Sequence, residues 1–290
     1  MEKHIDVLIV GAGISGIGLA VHLSKNCPQR QFEIIERRES FGGTWDLFKY
    51  PGIRSDSDMS TFGFNFKPWQ KDSVLADGPS IKNYLSEVIE EYQLKNKIHF
   101  QHRVFAANYD SITKKWVVEI EDTAQKKQTW VANFVLGCTG YYNYDQGYLP
   151  KFPKQQDFQG AIVHPQQWSS DIEYQGKNII VIGSGATAVT LVPALVKGGA
   201  KQVTMLQRSP GYVVSVSAYD KTYQHLPAKW AYCWVRGRNI VLQRAVYSLA
   251  RKAPQLTKRL LLKAVEQELR GKVDMQHFTP QYAPWDQRLC

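Results

Sequence analysis

The sequence predicts an α/β fold in which two Rossmann-like units are followed by a helical insert. Two observations give the paired units: a strand-like apolar run, a glycine-rich turn and a helix-like run open the chain, and the same order returns from residue 178. The third observation is a change of period, since strand patterns give way to helical ones from about residue 215. A chain of 290 residues has room for such a plan, because a domain occupies about 100–200 residues.

The first unit begins with Ile5-Asp6-Val7-Leu8-Ile9-Val10, an apolar run expected of a strand covered on both faces. Gly11-Ala12-Gly13-Ile14-Ser15-Gly16 follows, then a helix-like run to Leu23, then a second strand, Phe32-Glu33-Ile34-Ile35, ending in Glu36. In this order G-x-G-x-x-G has a physical reading. Gly11 permits the tight turn, Gly13 lets a pyrophosphate approach the backbone, and Gly16 lets helix and strand pack closely. The N–H groups at the helix start, around Ser15, then hold phosphate. Glu36, twenty residues past Gly16, accepts ribose hydroxyls and would repel a 2′-phosphate.

The second unit repeats the pattern. Asn178-Ile179-Ile180-Val181-Ile182 leads into Gly183-Ser184-Gly185-Ala186-Thr187-Ala188, a helix-like run through Leu195, and a strand from Gln202 to Leu206. Ala188 in the third glycine position is an accepted variant. Twenty residues beyond it stand Arg208 and Ser209, where the first unit has an acid. An arginine there matches a 2′-phosphate by charge and by its planar fork, although a surface arginine after a strand is the plain alternative. Opposite charges at the two ribose ends argue for two different dinucleotides, FAD at the acidic unit and NADPH at the arginine unit. A protein that holds both is expected to move a hydride between them, which is oxidoreductase chemistry.

Composition narrows the class. With 43% hydrophobic and 21% charged residues the chain is globular, not disordered. Cys27, Cys138, Cys233 and Cys290 have no paired spacing, which excludes a disulfide scaffold and a cysteine zinc site; no metal site is expected, and the usage fits a reducing, cytoplasmic setting. The apolar N-terminal run is broken by glycines and is too short for a membrane span. From 221 to 290 there are 13 Lys/Arg against 4 Asp/Glu, and this basic stretch is read as a solvated helical face; with no nucleic-acid module in the chain, no nucleic-acid partner is expected. Trp230, Trp234 and Tyr247 in the helical insert are read as core or interface aromatics.

Gly42-Gly43-Thr44 excludes one flavoprotein class, because no cysteine follows it before Cys138 and disulfide reductases need a redox pair there. The stretch Gly42-Gly43-Thr44-Trp45-Asp46-Leu47-Phe48-Lys49-Tyr50-Pro51-Gly52-Ile53-Arg54-Ser55-Asp56 resembles the N-terminal fingerprint of flavin-dependent Baeyer–Villiger monooxygenases, G-G-x-W-x4-[FY]-P-G-x3-D. Residues 158–168, with Phe158, Gly160, His164 and Trp168, resemble that family's linker fingerprint, F-x-G-x3-H-x3-W, with Ser169 as a departure. Within the family, residues 45–58, 140–147, 181–194 and 284–290 look like the subgroup of the ethionamide-activating monooxygenase.

The resemblance implies a cycle in which NADPH reduces FAD, O₂ adds to give a C4a-peroxide, and the peroxide converts a ketone to an ester or lactone. Organosulfur compounds are a further substrate class of the subgroup. Carried over by position, Arg288 is the cation beside the peroxide and Asp56 the carboxylate that holds it. Thr44 and Trp45 join Gly43 and Asp56 on the flavin side, and Thr187 joins Gly185 on the NADPH side. Where many members have lysine before that arginine this chain has Gln287, which cannot give a charge and leaves more of the 2′-phosphate recognition to Arg208. The expected organisation is an FAD-binding segment over 1–140, a linker and first part of the NADPH domain over 141–214, and a helical insert returning toward the NADPH domain over 215–290. The family's C-terminal half is absent from this sequence. Two alternatives remain beside the Baeyer–Villiger reading: an inactive nucleotide-binding fragment, and an N- or S-oxidising flavin monooxygenase, against which Trp168 and Arg288 weigh.

Overall fold

The computed structural model describes residues 2–287. In chain order the strands and helices are β1 (Lys3–Val10), α1 (Ile14–Asn26), β2 (Phe32–Ile35), α2 (Thr44–Leu47), α3 (Met59–Phe62), α4 (Gly78–Glu91), β3 (Ile98–His99), β4 (His102–Asp110), β5 (Lys115–Asp122) and β6 (Lys127–Gly137). They continue with β7 (Asn178–Ile182), α5 (Ala186–Lys197), β8 (Gln202–Leu206), α6 (Thr222–His225), α7 (Ala228–Lys252) and α8 (Pro254–Leu269). Contacts gather them into two units, one made of Met1–Lys49 and Gly78–Trp168, the other of Tyr50–Asp77 and Ser169–Cys290.

The first unit holds a six-stranded sheet in the order β3-β2-β1-β6-β5-β4. The strands β3, β2, β1 and β6 run parallel, with Ile9 opposite Ile34 on one side and Leu136 on the other. β5 and β6 form an antiparallel hairpin, and β4 extends it as a third antiparallel strand. As expected of a strand covered on both faces, Ile5, Val7, Leu8 and Ile9 are all buried. α1 turns Ile17, Ala20 and Val21 inward, and α4 turns in Ile81, Leu85 and Val88 at helical spacing. A cluster of Leu8, Ile35, Val118, Ile120 and Trp130 joins the parallel strands to the meander. These contacts fix the strand ends from which the glycine turn and Glu36 project.

The second unit contains the parallel pair β7–β8, in register from Asn178↔Gln202 to Ile182↔Leu206, with α5 as the crossover. α5 buries Ala188, Thr190, Leu191 and Leu195, while Ile180, Ile182 and Leu206 are exposed. The expected helical segment is present as α7 and α8. α7 ends at Lys252 because Ala253 precedes Pro254, and a residue before proline is pushed out of the helical region. The core half of the expectation that the aromatics of this segment are core or interface residues is corrected here. Trp230 and Trp234 are not core residues: they are 70% and 63% exposed, because α7 packs through Ala231, Tyr232 and Val235 instead. Tyr247 is half exposed and meets the Trp285 ring edge-on. Among the described residues no helix is long and apolar enough to cross a membrane.

Candidate functional site

Each unit carries a pocket at its glycine turn. In the first unit the turn sits between the end of β1 and α1. Gly11 has φ +110°, and a Cβ there would lie 2.5 Å from the Cys138 carbonyl oxygen. At Gly16 a Cβ would lie 1.9 Å from the Gly11 carbonyl oxygen, so both positions exclude any side chain. Gly13 stands at the N-terminus of α1, where no side chain caps the helix and no acid occupies the first turn. The leading N–H groups of α1 are thus left to an outside acceptor, which is the arrangement a phosphate needs.

Glu36 leaves the end of β2 beside this turn. It is 5% exposed; one carboxylate oxygen accepts the Ala12 N–H at 2.8 Å and the other the Arg38 N–H at 2.9 Å. A carboxylate has about four lone-pair sites, so two remain for hydroxyl donors. A pocket of about 460 Å³ is lined by Gly11, Gly13, Ser15, Glu36, Gly43, Thr44 and Trp45, all expected from the sequence. Gly16 lies outside that lining, beneath the turn. The wall also includes His102 to Val104 and Cys138 to Tyr144; of these the sequence marked only 140–144, as part of a family-like run, and gave them no place in the pocket.

An ionic cluster beside this pocket also escaped the sequence reading. Asp46 in α2 is buried, accepts from Arg38 Nε at 3.1 Å and Nη2 at 2.6 Å, and is paired with Lys82 of α4. Burial opposes its ionisation, but the hydrogen bonds and charges of Lys82 and Arg38 outweigh that and hold the carboxyl below the ordinary aspartate range. The cluster fixes α2, which presents Thr44 and Trp45. Tyr144 lies over Arg38, and burial, with Glu36 nearby, pushes its phenol up. The only advance signal was the close spacing of Arg38 to Glu36 and of Asp46 to Trp45.

Two of the runs that resemble the monooxygenase family, 140–147 and 158–168, pack against each other in this unit. The His164 ring fills the space where a Cβ on Gly147 would be, and its Nδ1 accepts the Gln166 N–H at 3.2 Å. Gln166 Nε2 in turn donates to the Asn143 carbonyl at 2.6 Å.

In the second unit, α5 also starts without a side-chain cap, at Gly185, and has no acid in its first turn. A pocket of about 570 Å³ is lined by Gly183, Gly185, Arg208 and Ser209, together with Tyr282 and Gln287. Thr187 and Ala188 sit in the first turn of α5 and do not line it; Ala188 is buried beneath. Tyr282 was not foreseen, and it is tied in by the Tyr212 hydroxyl, which donates to its carbonyl at 2.7 Å.

Asp56 is exposed, lies in the second unit, and lines neither pocket. Arg288 lies outside the described residues. No group of three or more His, Cys, Asp or Glu among the described residues is placed to hold a metal ion.

Two uncapped glycine turns in one chain, one with a pinned acid and one with an arginine, are the arrangement of a two-dinucleotide protein. Comparison with known proteins names the group. Residues 2–278 match a family described as flavin-binding monooxygenase-like. The chain belongs to that family. Over its whole length it is 69% identical to a probable FAD-binding monooxygenase AlmA of Acinetobacter and 51% identical to the FAD-containing monooxygenase EthA of Mycolicibacterium smegmatis. It spans 59% and 60% of the length of those two family members. Among solved structures it superposes on an oxidised steroid monooxygenase bound to NADP with a TM-score of 0.76 at 23% identity, covering 96% of this chain and 60% of that one. An OTEMO complex with FAD and NADP gives 0.73 at 20% identity, over 98% and 62% of the two chains. At these identities the structural likeness speaks for the fold, an α/β arrangement shared with these two monooxygenases.

Proposed function

We propose that this chain is the FAD- and NADPH-binding part of a monooxygenase of Baeyer–Villiger type, which uses O₂ and NADPH to convert a ketone to an ester or lactone. The observation that supports it best is the charge difference between the two pockets, Glu36 in one and Arg208 in the other. The FAD-binding and NADP-bound relatives point the same way.

The residues present fit both cofactors. Backbone N–H groups at the start of α1, past Gly11 and Gly13, would hold the FAD pyrophosphate, and the spare lone pairs of Glu36 its ribose hydroxyls. Gly43, Thr44 and Trp45 would line the approach to the ring, held in place by Asp46. The start of α5, past Gly183 and Gly185, would hold the NADPH pyrophosphate, with the Arg208 fork and Ser209 for the 2′-phosphate. When bound, the flavin supplies two-electron exchange with NADPH and the reaction with O₂. Asp56 would fix the Arg288 guanidinium, a cation that stays protonated throughout and so can stabilise negative charge developing on oxygen.

The test is NADPH oxidation by the FAD-loaded protein with and without a cyclic ketone, the product identified by mass spectrometry. Ketone-dependent NADPH loss with lactone formation is expected. A sulfoxide from a thioether under conditions that give no lactone would replace this reading with sulfur oxidation.

A further inference from the structure

α3 has a single turn, and such a helix does not persist alone in water, because one turn of hydrogen bonds does not offset the cost of nucleation. Both of its ends are held by one row of side chains on α7. At the N-terminus Asp58 caps the helix, accepting the Thr61 N–H at 3.0 Å. The same carboxylate accepts from Asn239 Nδ2 at 2.9 Å and from Gln243 Nε2 at 3.0 Å. At the other end Arg236 Nη1 donates to the Ser60 carbonyl at 2.6 Å and lies 3.4 Å from that of Thr61 and 3.5 Å from that of Gly63. These are carbonyls that a helix terminus leaves without internal partners. Residues 236, 239 and 243 are spaced by three and four and share one face of α7.

The segment before α3 is tied as well. The Ser55 N–H donates to the Ala76 carbonyl and the Met59 N–H to that of Val74, both at 2.8 Å. Ser55 and Met59 are buried, and Asp56 between them is exposed. Asp56 is thus displayed from a loop whose two feet are bonded to residues 74–76 and whose far end is gripped by α7.

We propose that Arg236, Asn239 and Gln243 of the helical insert are positioning residues for Asp56, fixing its loop through both ends of α3. The proposal rests on the reading of Asp56 given under the proposed function. Asn239 and Gln243 are neutral, so they orient the Asp58 carboxylate without adding a cation next to the residue that is to hold Arg288.

Amide hydrogen exchange over residues 54–63, measured on the ligand-free chain, tests the grip directly. Asn239→Ala with Gln243→Ala is expected to speed exchange at Met59, Thr61, Phe62 and Gly63 by about tenfold or more, with β7 and β8 unchanged. Asn239→Asp alone sets two carboxylates together and is expected to do the same. Combining it with Asp58→Asn restores a carboxylate–amide pair and is expected to restore protection. Unchanged exchange in the double variant, or no rescue in the swapped pair, overturns the proposal. A second readout concerns the reaction. The Asn239→Ala, Gln243→Ala variant is expected to bind FAD as the parent does, with NADPH KM within twofold, while yielding at least fivefold less oxygenated product per NADPH oxidised. Faster exchange with an unchanged product yield also overturns it. Failure of the functional reading shows separately, as absence of FAD binding by the unmodified chain.

Discussion

Replacing Asp46 with asparagine removes the charge at the centre of the Arg38–Asp46–Lys82 cluster and keeps the side-chain volume. Asp46 is 6% exposed, and two donor atoms of Arg38 and one of Lys82 converge on it. A hydrogen bond to a charged group contributes about 1.5–3 kcal/mol when dry. The Arg38 and Lys82 side chains keep 24% and 36% of their exposure, so screening by water puts each interaction at the low end of that range. Asparagine retains one acceptor oxygen but turns an NH₂ toward two cations, and the expected net loss is about 2–4 kcal/mol. The pH dependence follows from the direction of the shift. Because the folded-state carboxyl lies below its ordinary value, its stabilisation is fully present above the unfolded pKa of about 3.9 and is lost as pH falls through the lower, folded value. Urea titrations of parent and variant followed by far-UV circular dichroism, at pH 7 and at pH 3, measure both effects. A difference below about 0.5 kcal/mol at pH 7, the ordinary range for a surface change, would mean that the cluster does not stabilise the fold. A difference that does not shrink at pH 3 would mean that it does not come from the Asp46 charge.

Other substitutions probe the glycine turn and the two faces of the β7–α5 layer. Gly16→Ala places a Cβ 1.9 Å from the Gly11 carbonyl oxygen, a backbone atom that cannot swing aside. A loss of about 1–3 kcal/mol is expected in the same titrations, together with weaker FAD binding; a variant as stable as the parent would mean that α1 and the turn are not packed as described. Leu195→Ala removes a side chain that is 1% exposed from the packed face of α5, at an expected cost of about 2–5 kcal/mol. Ile182→Thr, on the bare face of β7 where the side chain is 59% exposed, is expected to change stability by less than about 0.5 kcal/mol. Equal losses at these two positions would contradict the assignment of faces.

Elements set by local pattern were legible in the sequence. β2, β7 and β8 fall where their apolar runs and the punctuating glycines put them, and the two glycine turns open into helices as their spacing requires. β4 was not anticipated, because His102-Arg103-Val104-Phe105-Ala106-Ala107-Asn108 alternates too weakly to mark a buried face, and its pairing with β5 is a tertiary fact. The exposed tryptophans of α7 show the limit of reading aromatics as core: which face packs was decided by small Ala231 and by Val235, not by the largest side chains. In the site, Glu36 and Arg208 were readable because a fixed distance from a glycine turn sets their position. The Asp46–Lys82 pair and the bonds from α7 to Asp58 join residues 36 to 185 positions apart, and no periodicity encodes such meetings.

Equilibrium binding of FAD and of NADP⁺ to the parent chain, Glu36→Ala and Arg208→Ala tests whether the two glycine turns hold two different dinucleotides. A crossed pattern is expected. Glu36→Ala weakens FAD by about tenfold or more and leaves NADP⁺ unchanged, and Arg208→Ala does the reverse, consistent with the scale of about 1.5–3 kcal/mol for one charged hydrogen bond. Both variants weakening the same ligand, or neither variant weakening either one, would contradict it.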